Sequence, residues 1–308
     1  MIVIDRFAKS YDGFVAVKEL SLEIPKGEIF GFIGPNGAGK TTTFRFLATL
    51  LEPTSGRATI NGFDVAREVN EVRRQFGYMP DSFGVYNGMR VWEFLDFFAV
   101  AYGVPRVQRT RLIHDCLALV DLHHKRNDLV NALSRGMKQR LCLAKTLVHD
   151  PPVLILDEPA SGLDPRARVE MKELLKELRQ MGKTIFISSH ILSELADTCT
   201  SVAILERGEL LAAGSIDSIL QALREHRDVE VVVLHDQPGA ELFLSHHPKV
   251  ASVTRENGML RFEFSGTDED LASVSDELFA RKHRPLWIRE NRPDLETIFM
   301  RVTKGRVQ

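Results

Sequence analysis

The stretch Gly34-Pro35-Asn36-Gly37-Ala38-Gly39-Lys40-Thr41-Thr42 is almost bare of side chains until it ends on a cation and two hydroxyls. Glycines at 34, 37 and 39 free the backbone to turn successive N–H groups inward on an anion. The residues that follow, through Leu47, read as the first turns of a helix. Its N-terminus adds unpaired N–H groups and partial positive charge. The spacing of Gly34, Gly39, Lys40 and Thr41 fits the phosphate-loop pattern G-x-x-x-x-G-K-[ST], and the apolar run Ile29–Ile33 before it supplies the strand that the pattern requires. In that chemistry Lys40 reaches the β- and γ-phosphates of a nucleotide, and the Thr41 hydroxyl ligates Mg²⁺.

A second stretch, Val153-Leu154-Ile155-Leu156-Asp157-Glu158-Pro159, is an apolar strand that ends in two carboxylates. In a parallel α/β sheet such strand ends border the ligand crevice. Asp157 is then placed to hold Mg²⁺ through water, and Glu158 to polarise an attacking water. Taken alone, the run also fits a strand that merely stops at an acidic turn; the loop motif favours the catalytic reading. Just upstream, Ser134 in Leu133-Ser134-Arg135-Gly136-Met137 reads as the N-cap of a helix through Leu141, Ala144 and Leu147, whose N-terminus is again an anion site.

The elements that must position these residues follow from periodicity and turn residues. Short β-like runs open the chain (2–5, 15–24, 28–33, 57–60), punctuated by Asp12-Gly13, Pro25-Lys26-Gly27 and Asn61-Gly62. Helix-like segments dominate from Val91 to Val148. Two apolar strands, 153–156 and 184–188, then flank a helix that starts with Asp164 as cap and Pro165 at its first position. Strand–helix–strand at this spacing predicts a parallel α/β sheet. After about Ser218 the pattern changes to β (229–234), a short helix, β (251–255), an Asn257-Gly258 turn and β (260–264). A helix capped by Thr267 with Asp270 in the box position, a strand at 286–289 and a helix from Pro293 complete it. The expected organisation is an α/β domain over 1–218, with a helical insert at about 83–150, and a small α+β domain over 219–308.

At 308 residues the chain has room for one large and one smaller domain. A net charge of −2 gives no global field toward nucleic acid, and no nucleic-acid partner is expected. The N-terminus meets charge too early for a secretion signal. No uncharged apolar run approaches the ~18 residues needed to span a bilayer; the nearest, 91–104, carries Glu93 and Asp96. Three widely spaced cysteines, Cys116, Cys142 and Cys199, suggest reduced thiols in a cytoplasmic protein rather than a disulfide framework or zinc site.

Together these stretches resemble the ATP-binding subunit of an ABC transporter over about residues 2–218. Gly34 to Thr41 resembles Walker A, Leu154 to Glu158 Walker B, Leu133 to Met137 the signature motif and Ser161 to Asp164 the D-loop. His190, after Ser188-Ser189, resembles the switch histidine, and Tyr11 stands where the family places an aromatic against adenine. The resemblance implies a P-loop NTPase cassette with a parallel-sheet core, an antiparallel β subdomain and a helical subdomain. It also implies two copies closing head to tail over two ATP molecules with Mg²⁺. Ser134 and Gly136 of one copy would then contact the γ-phosphate held by Lys40 of the other. Glu158 would activate water, and His190 would hold the γ-phosphate. A separate integral-membrane permease would place the subunit on the inner face of the cell membrane.

The pattern is not complete. Asp81 stands where the family commonly has Gln, and two readings stay open: an outer-shell Mg²⁺ ligand, or a turn cap with no nucleotide role. Arg135 and Met137 replace a Gly and a Gln of the signature, so Arg135 either points outward or brings a cation toward the opposed site, where it could compensate Asp81. Both departures, and the ending Asp294 to Phe299, resemble exporters of the drug- and antibiotic-resistance type. The aromatics of the insert (Trp92, Phe94, Phe97, Phe98) fit either core or a docking surface for the permease. A soluble ABC ATPase acting on ribosomes or DNA fits less well, because the chain has one cassette and no sustained heptads. A stand-alone kinase leaves Leu133 to Met137 unexplained.

Overall fold

Three β-sheets organise the described residues. A computed structural model describes residues 1–82, 84, 86, 88–191, 195, 198–216, 218–219, 227–256 and 258–291. The expected helix from Pro293 lies outside the described residues, as does Asn257 of the expected turn. The chain divides into two compact units, the first Met1–Ile219 and the second starting at Leu220.

In the first unit, strands β1 (Ile2–Tyr11), β2 (Phe14–Ile24), β4 (Ser55–Ile60) and β5 (Phe63–Asp64) form an antiparallel sheet in the order β2-β1-β4-β5. The second sheet is built from β3 (Ile29–Ile33), β6 (Phe76–Met79), β7 (Val153–Asp157), β8 (Thr184–Ser189), β9 (Ser201–Glu206) and β10 (Glu209–Ser215). Its order is β10-β9-β3-β8-β7-β6, parallel except for β10 at the edge. Every residue of β3, β7 and β8 is buried, which explains why their sequences are continuous apolar runs rather than alternating ones.

The order has one consequence for chemistry: β8 lies between β3, which leads into the glycine loop, and β7, which ends in Asp157. Helix α1 (Lys40–Leu47) follows the loop and is nailed to the core by two phenylalanines. Phe44 packs against Phe186 at 4.6 Å and Phe32 at 5.9 Å between ring centroids, and Phe46 stacks on Phe7 at 4.2 Å. Burying each such ring contributes about 1.5–3 kcal/mol, so the loop is held by a rigid base.

The helical region consists of α3 (Val91–Ala101), α4 (Arg106–Leu119) and α5 (Arg135–Leu147), after α2 (Val69–Gln75). Of the aromatics of α3, Phe94 is fully buried, whereas Phe97 is 44% exposed. Helix α6 (Pro165–Gln180) begins as expected, with the Asp164 carboxylate accepting from Ala167 N–H.

The second unit runs β11 (Arg227–Val233), α7 (Gln237–Ser245), β12 (Val250–Glu256), β13 (Met259–Phe264), α8 (Asp268–Ala280) and β14 (Pro285–Glu290). The sheet order is β12-β13-β11-β14, with every pair antiparallel. This is the βαββαβ arrangement of the ferredoxin-like kind. Its core is Val229, Val231, Leu260, Phe262 and Phe264 from the sheet against Ala240, Leu244, Val274 and Leu278 from the helices. Thr267 and Asp270 form the expected capping box at α8.

Candidate functional site

Gly34 and Gly39 show why the loop before α1 needs glycine. A Cβ on Gly34 would lie 2.3 Å from the Leu205 carbonyl oxygen, and one on Gly39 would lie 2.7 Å from that of Ala16. Gly39 also has φ +107°, in the region that L side chains rarely adopt. The loop therefore presses its backbone against β9 and β2 and turns its other side to a cleft of about 480 Å³.

Tyr11, Asn36, Gly37, Gly39, Lys40, Thr41, Thr42, Asp81 and Glu158 all line this cleft, joined by Phe14 and Ala16. Gly34, Pro35 and Ala38 do not line it. Tyr11 is half exposed at the rim, with the Lys9 ammonium 5.1 Å from its ring centroid. Ser134 and Gly136 do not line the cleft of their own chain.

Lys40 is buried and donates to the carbonyls of Gly34 (2.7 Å) and Pro35 (3.1 Å), with Glu158 Oε1 at 3.8 Å. Burial lowers its pKa, opposed by the nearby Glu158 and Asp157 charges. The cation thus stands at the loop on carbonyls that a phosphate oxygen could replace as acceptor.

Glu158 touches both candidate partners. Its Oε2 lies 2.8 Å from His190 Nδ1 and its Oε1 faces Lys40. Its backbone has φ +50°, a left-handed conformation that costs a non-glycine residue about 1–3 kcal/mol and tends to mark functional sites. Asp157, one residue earlier, is fully buried. Burial raises its pKa, and the Asp81 and Glu158 charges add to the shift; the Ser188 and Thr41 hydroxyls oppose it. Asp157 Oδ1 accepts from the Ser188 hydroxyl at 2.5 Å, whereas Oδ2 has no hydrogen-bond partner. A buried carboxylate oxygen without a partner, beside the Thr41 hydroxyl, fits a hard divalent cation held by few protein oxygens. Among the described residues no group of three or more His, Cys, Asp or Glu could hold a metal alone. Mg²⁺ does not need one, because it keeps waters and takes phosphate oxygens.

The geometry at Asp81 leaves both of its readings open. It lines the cleft, and its Oδ1 also accepts from Ser82 N–H at 2.7 Å.

At the second anion site, Ser134 caps α5, its hydroxyl accepting from Met137 N–H at 3.3 Å. Arg135 is exposed. Its guanidinium lies over Gly162, where a Cβ would meet it at 2.3 Å, with Nη2 3.5 Å from the Ser161 carbonyl oxygen. Gly136 faces Leu163 and Ala167. Buried Gln139 donates to the carbonyl of Pro159. The signature stretch is thereby tied to the segment just after Glu158. Ser188 and Gln139 had no assigned role at the level of sequence. The only available signal was a polar residue on an apolar strand or helix face, which does not say what it meets.

Residues 17–161 fit the family model described as ABC transporter. An uncharacterized ABC transporter ATP-binding protein of Synechocystis is 34% identical over 94% of this chain and 79% of its own length. The linearmycin resistance ATP-binding protein LnrL of Bacillus subtilis is 28% identical over 98% of both chains. MJ0796, a bacterial ABC transporter cassette solved as a dimer, superposes with a TM-score of 0.65 at 25% identity, covering 70% of this chain and 99% of its own. The same cassette has been solved in a post-hydrolysis state bound to ADP and Pi. With the phosphate loop, the paired carboxylates and the sheet order in place, the chain belongs to the ATP-binding proteins of ABC transporters, ATPases built on the P-loop cassette fold.

Proposed function

We propose that this chain powers export through a separate integral-membrane permease, as a homodimer that closes head to tail over two Mg²⁺-bound ATP molecules. The carrying observation is the division of the phosphate-binding groups. Lys40, Thr41, Glu158 and Asp81 share one cleft, whereas the capped N-terminus of α5 at Ser134 lies outside it. A second copy would supply the missing wall, with Ser134 and Gly136 toward the γ-phosphate. MJ0796, solved as a dimer, supports this arrangement.

In the cleft, Tyr11 stacks on the base, and the N–H groups of 34–42 wrap the phosphates. Lys40 moves from its two carbonyl acceptors to the β- and γ-oxygens. Thr41 and Asp157 would hold Mg²⁺, with Asp81 a candidate outer-shell ligand; when bound, the ion would neutralise charge on the phosphate oxygens. Glu158 accepts a proton from the attacking water. His190, now 2.8 Å from Glu158, holds the γ-phosphate and releases it after cleavage. Closure driven by ATP and undone by hydrolysis is a two-state change that ligand contacts bias.

The permease is inferred from the family; among the described residues no helix is long and apolar enough to cross a membrane. Half-exposed Phe97 and Tyr86 on the helical region offer it a surface. The subunit would sit on the inner face of the cell membrane. Export is favoured by LnrL, a resistance ATP-binding protein. Residues 1–218 form the ATP-binding domain in this reading, and 219–308 an accessory domain.

Two experiments test the proposal. ATPase activity should rise with the square of protein concentration at low occupancy; a strictly linear rise removes the dimer. The chain should also co-purify with a polytopic membrane protein, and its recovery with ribosomes or DNA instead would support the soluble alternative.

A further inference from the structure

We propose that Ser188 is the positioning residue that aims both carboxylates at the end of β7. It sits near the end of β8, between the strand that leads into the phosphate loop and the strand that carries Asp157. In register it faces Phe32 on one side and Asp157 on the other. Its side chain is fully buried, where a hydroxyl is unfavourable unless it is hydrogen-bonded.

One hydroxyl serves two residues. Ser188 Oγ donates to Asp157 Oδ1 at 2.5 Å and accepts from Glu158 N–H at 3.0 Å. The first bond fixes the rotation of the Asp157 carboxylate, so that Oδ2, which has no hydrogen-bond partner, keeps one direction. The second holds the amide of Glu158, whose left-handed backbone sets where its side chain points. An apolar side chain at position 188 would fill the same space but leave Oδ1 without its donor and the Glu158 amide without its acceptor. The inference rests on the reading of Asp157 as the metal-facing carboxylate, and adds a residue that touches neither metal nor nucleotide.

The test uses Mn²⁺ as probe, titrated into the full chain saturated with a non-hydrolysable ATP analogue and followed by electron paramagnetic resonance. Partners that orient metal ligands typically carry 10–100-fold in metal affinity. Ser188→Ala should therefore weaken Mn²⁺ binding about 10–100-fold, leave metal-free binding of the analogue within about twofold, and lower kcat with KM unchanged. A melting curve of the nucleotide-free protein verifies the fold; Ser188→Cys, of similar volume, replaces Ser188→Ala if the transition is lost. Asp157→Ala separates the two claims. If it abolishes Mn²⁺ binding and Ser188→Ala leaves it intact, the role of Ser188 is overturned while the reading of Asp157 stands. If Asp157→Ala binds Mn²⁺ normally, the reading of Asp157 falls and the inference with it. When both claims hold, adding Ser188→Ala to Asp157→Ala changes Mn²⁺ binding no further.

Discussion

Glu158→Gln keeps the shape of the side chain and removes its charge, which makes it the sharpest perturbation of the proposed chemistry. Glu158 Oε1 stands 3.8 Å from Lys40 Nζ, and the two side chains are 18% and 6% exposed. At an effective dielectric constant of about 20, that separation corresponds to a gross attraction of about 4 kcal/mol, before the cost of desolvating both groups. Lys40 loses this counter-ion in the variant but keeps its bonds to Gly34 and Pro35. The loop should therefore hold its form, and with one anion fewer beside the triphosphate, ATP affinity should be unchanged or tighter. Hydrolysis should slow by about 10²–10⁴-fold, the usual worth of a general base. That corresponds to about 2.7–5.4 kcal/mol of barrier at 1.36 kcal/mol per tenfold. Single-turnover phosphate release, read beside equilibrium nucleotide binding, separates the two quantities. Turnover within tenfold of the parent would remove Glu158 from the role of base. A loss of ATP affinity as large as the loss of rate would make it a ground-state ligand instead.

Other consequences can be read off the same geometry. Gly39→Ala should abolish nucleotide binding, because its Cβ would press on the Ala16 carbonyl at φ +107°; equilibrium titration with ATP checks this, and normal affinity would refute the account of the loop. Asp81→Gln and Arg135→Gly should affect the ATPase rate non-additively, by more than about 0.5 kcal/mol, if the two compensate across a closed dimer; strict additivity contradicts that pairing. In the second unit, Lys249 at 2.5 Å and then the Thr267 cap hold the Asp270 pKa down at about 2. A depressed carboxylate contributes stability above its unfolded pKa, near 4, and loses it as pH falls toward about 2. The Asp270 carboxyl should titrate in that window by NMR, and Lys249→Ala should move its midpoint up; an unmoved midpoint would discount the ion pair.

The features legible in the sequence were those that depend on neighbours in the chain. The glycine loop, the Ser134, Asp164 and Thr267 caps and the apolar runs of β3, β7 and β8 each follow from a few adjacent residues, and they stand where the spacing placed them. Strand order did not follow, because strand partners come from distant parts of the chain: β8 pairs with β3, more than a hundred residues before it, and with β7, about thirty residues before it. With it went the Ser188–Asp157 bond, the Gln139–Pro159 bond and the placement of Arg135 on Gly162. The antiparallel order of the second unit was hidden for the same reason: its alternation predicts strands and helices but not which strands meet. His190 could be named only through resemblance, since nothing in its immediate surroundings announces Glu158 as its neighbour.

The central claim is that each nucleotide is shared between two copies. A structure of the Glu158→Gln variant with ATP and Mg²⁺ bound tests it most directly, through one distance. The account predicts the γ-phosphate between Lys40 of one copy and the Ser134 hydroxyl of the other, each within about 3 Å. A triphosphate enclosed by a single copy, with no Ser134 within hydrogen-bonding reach, would contradict it.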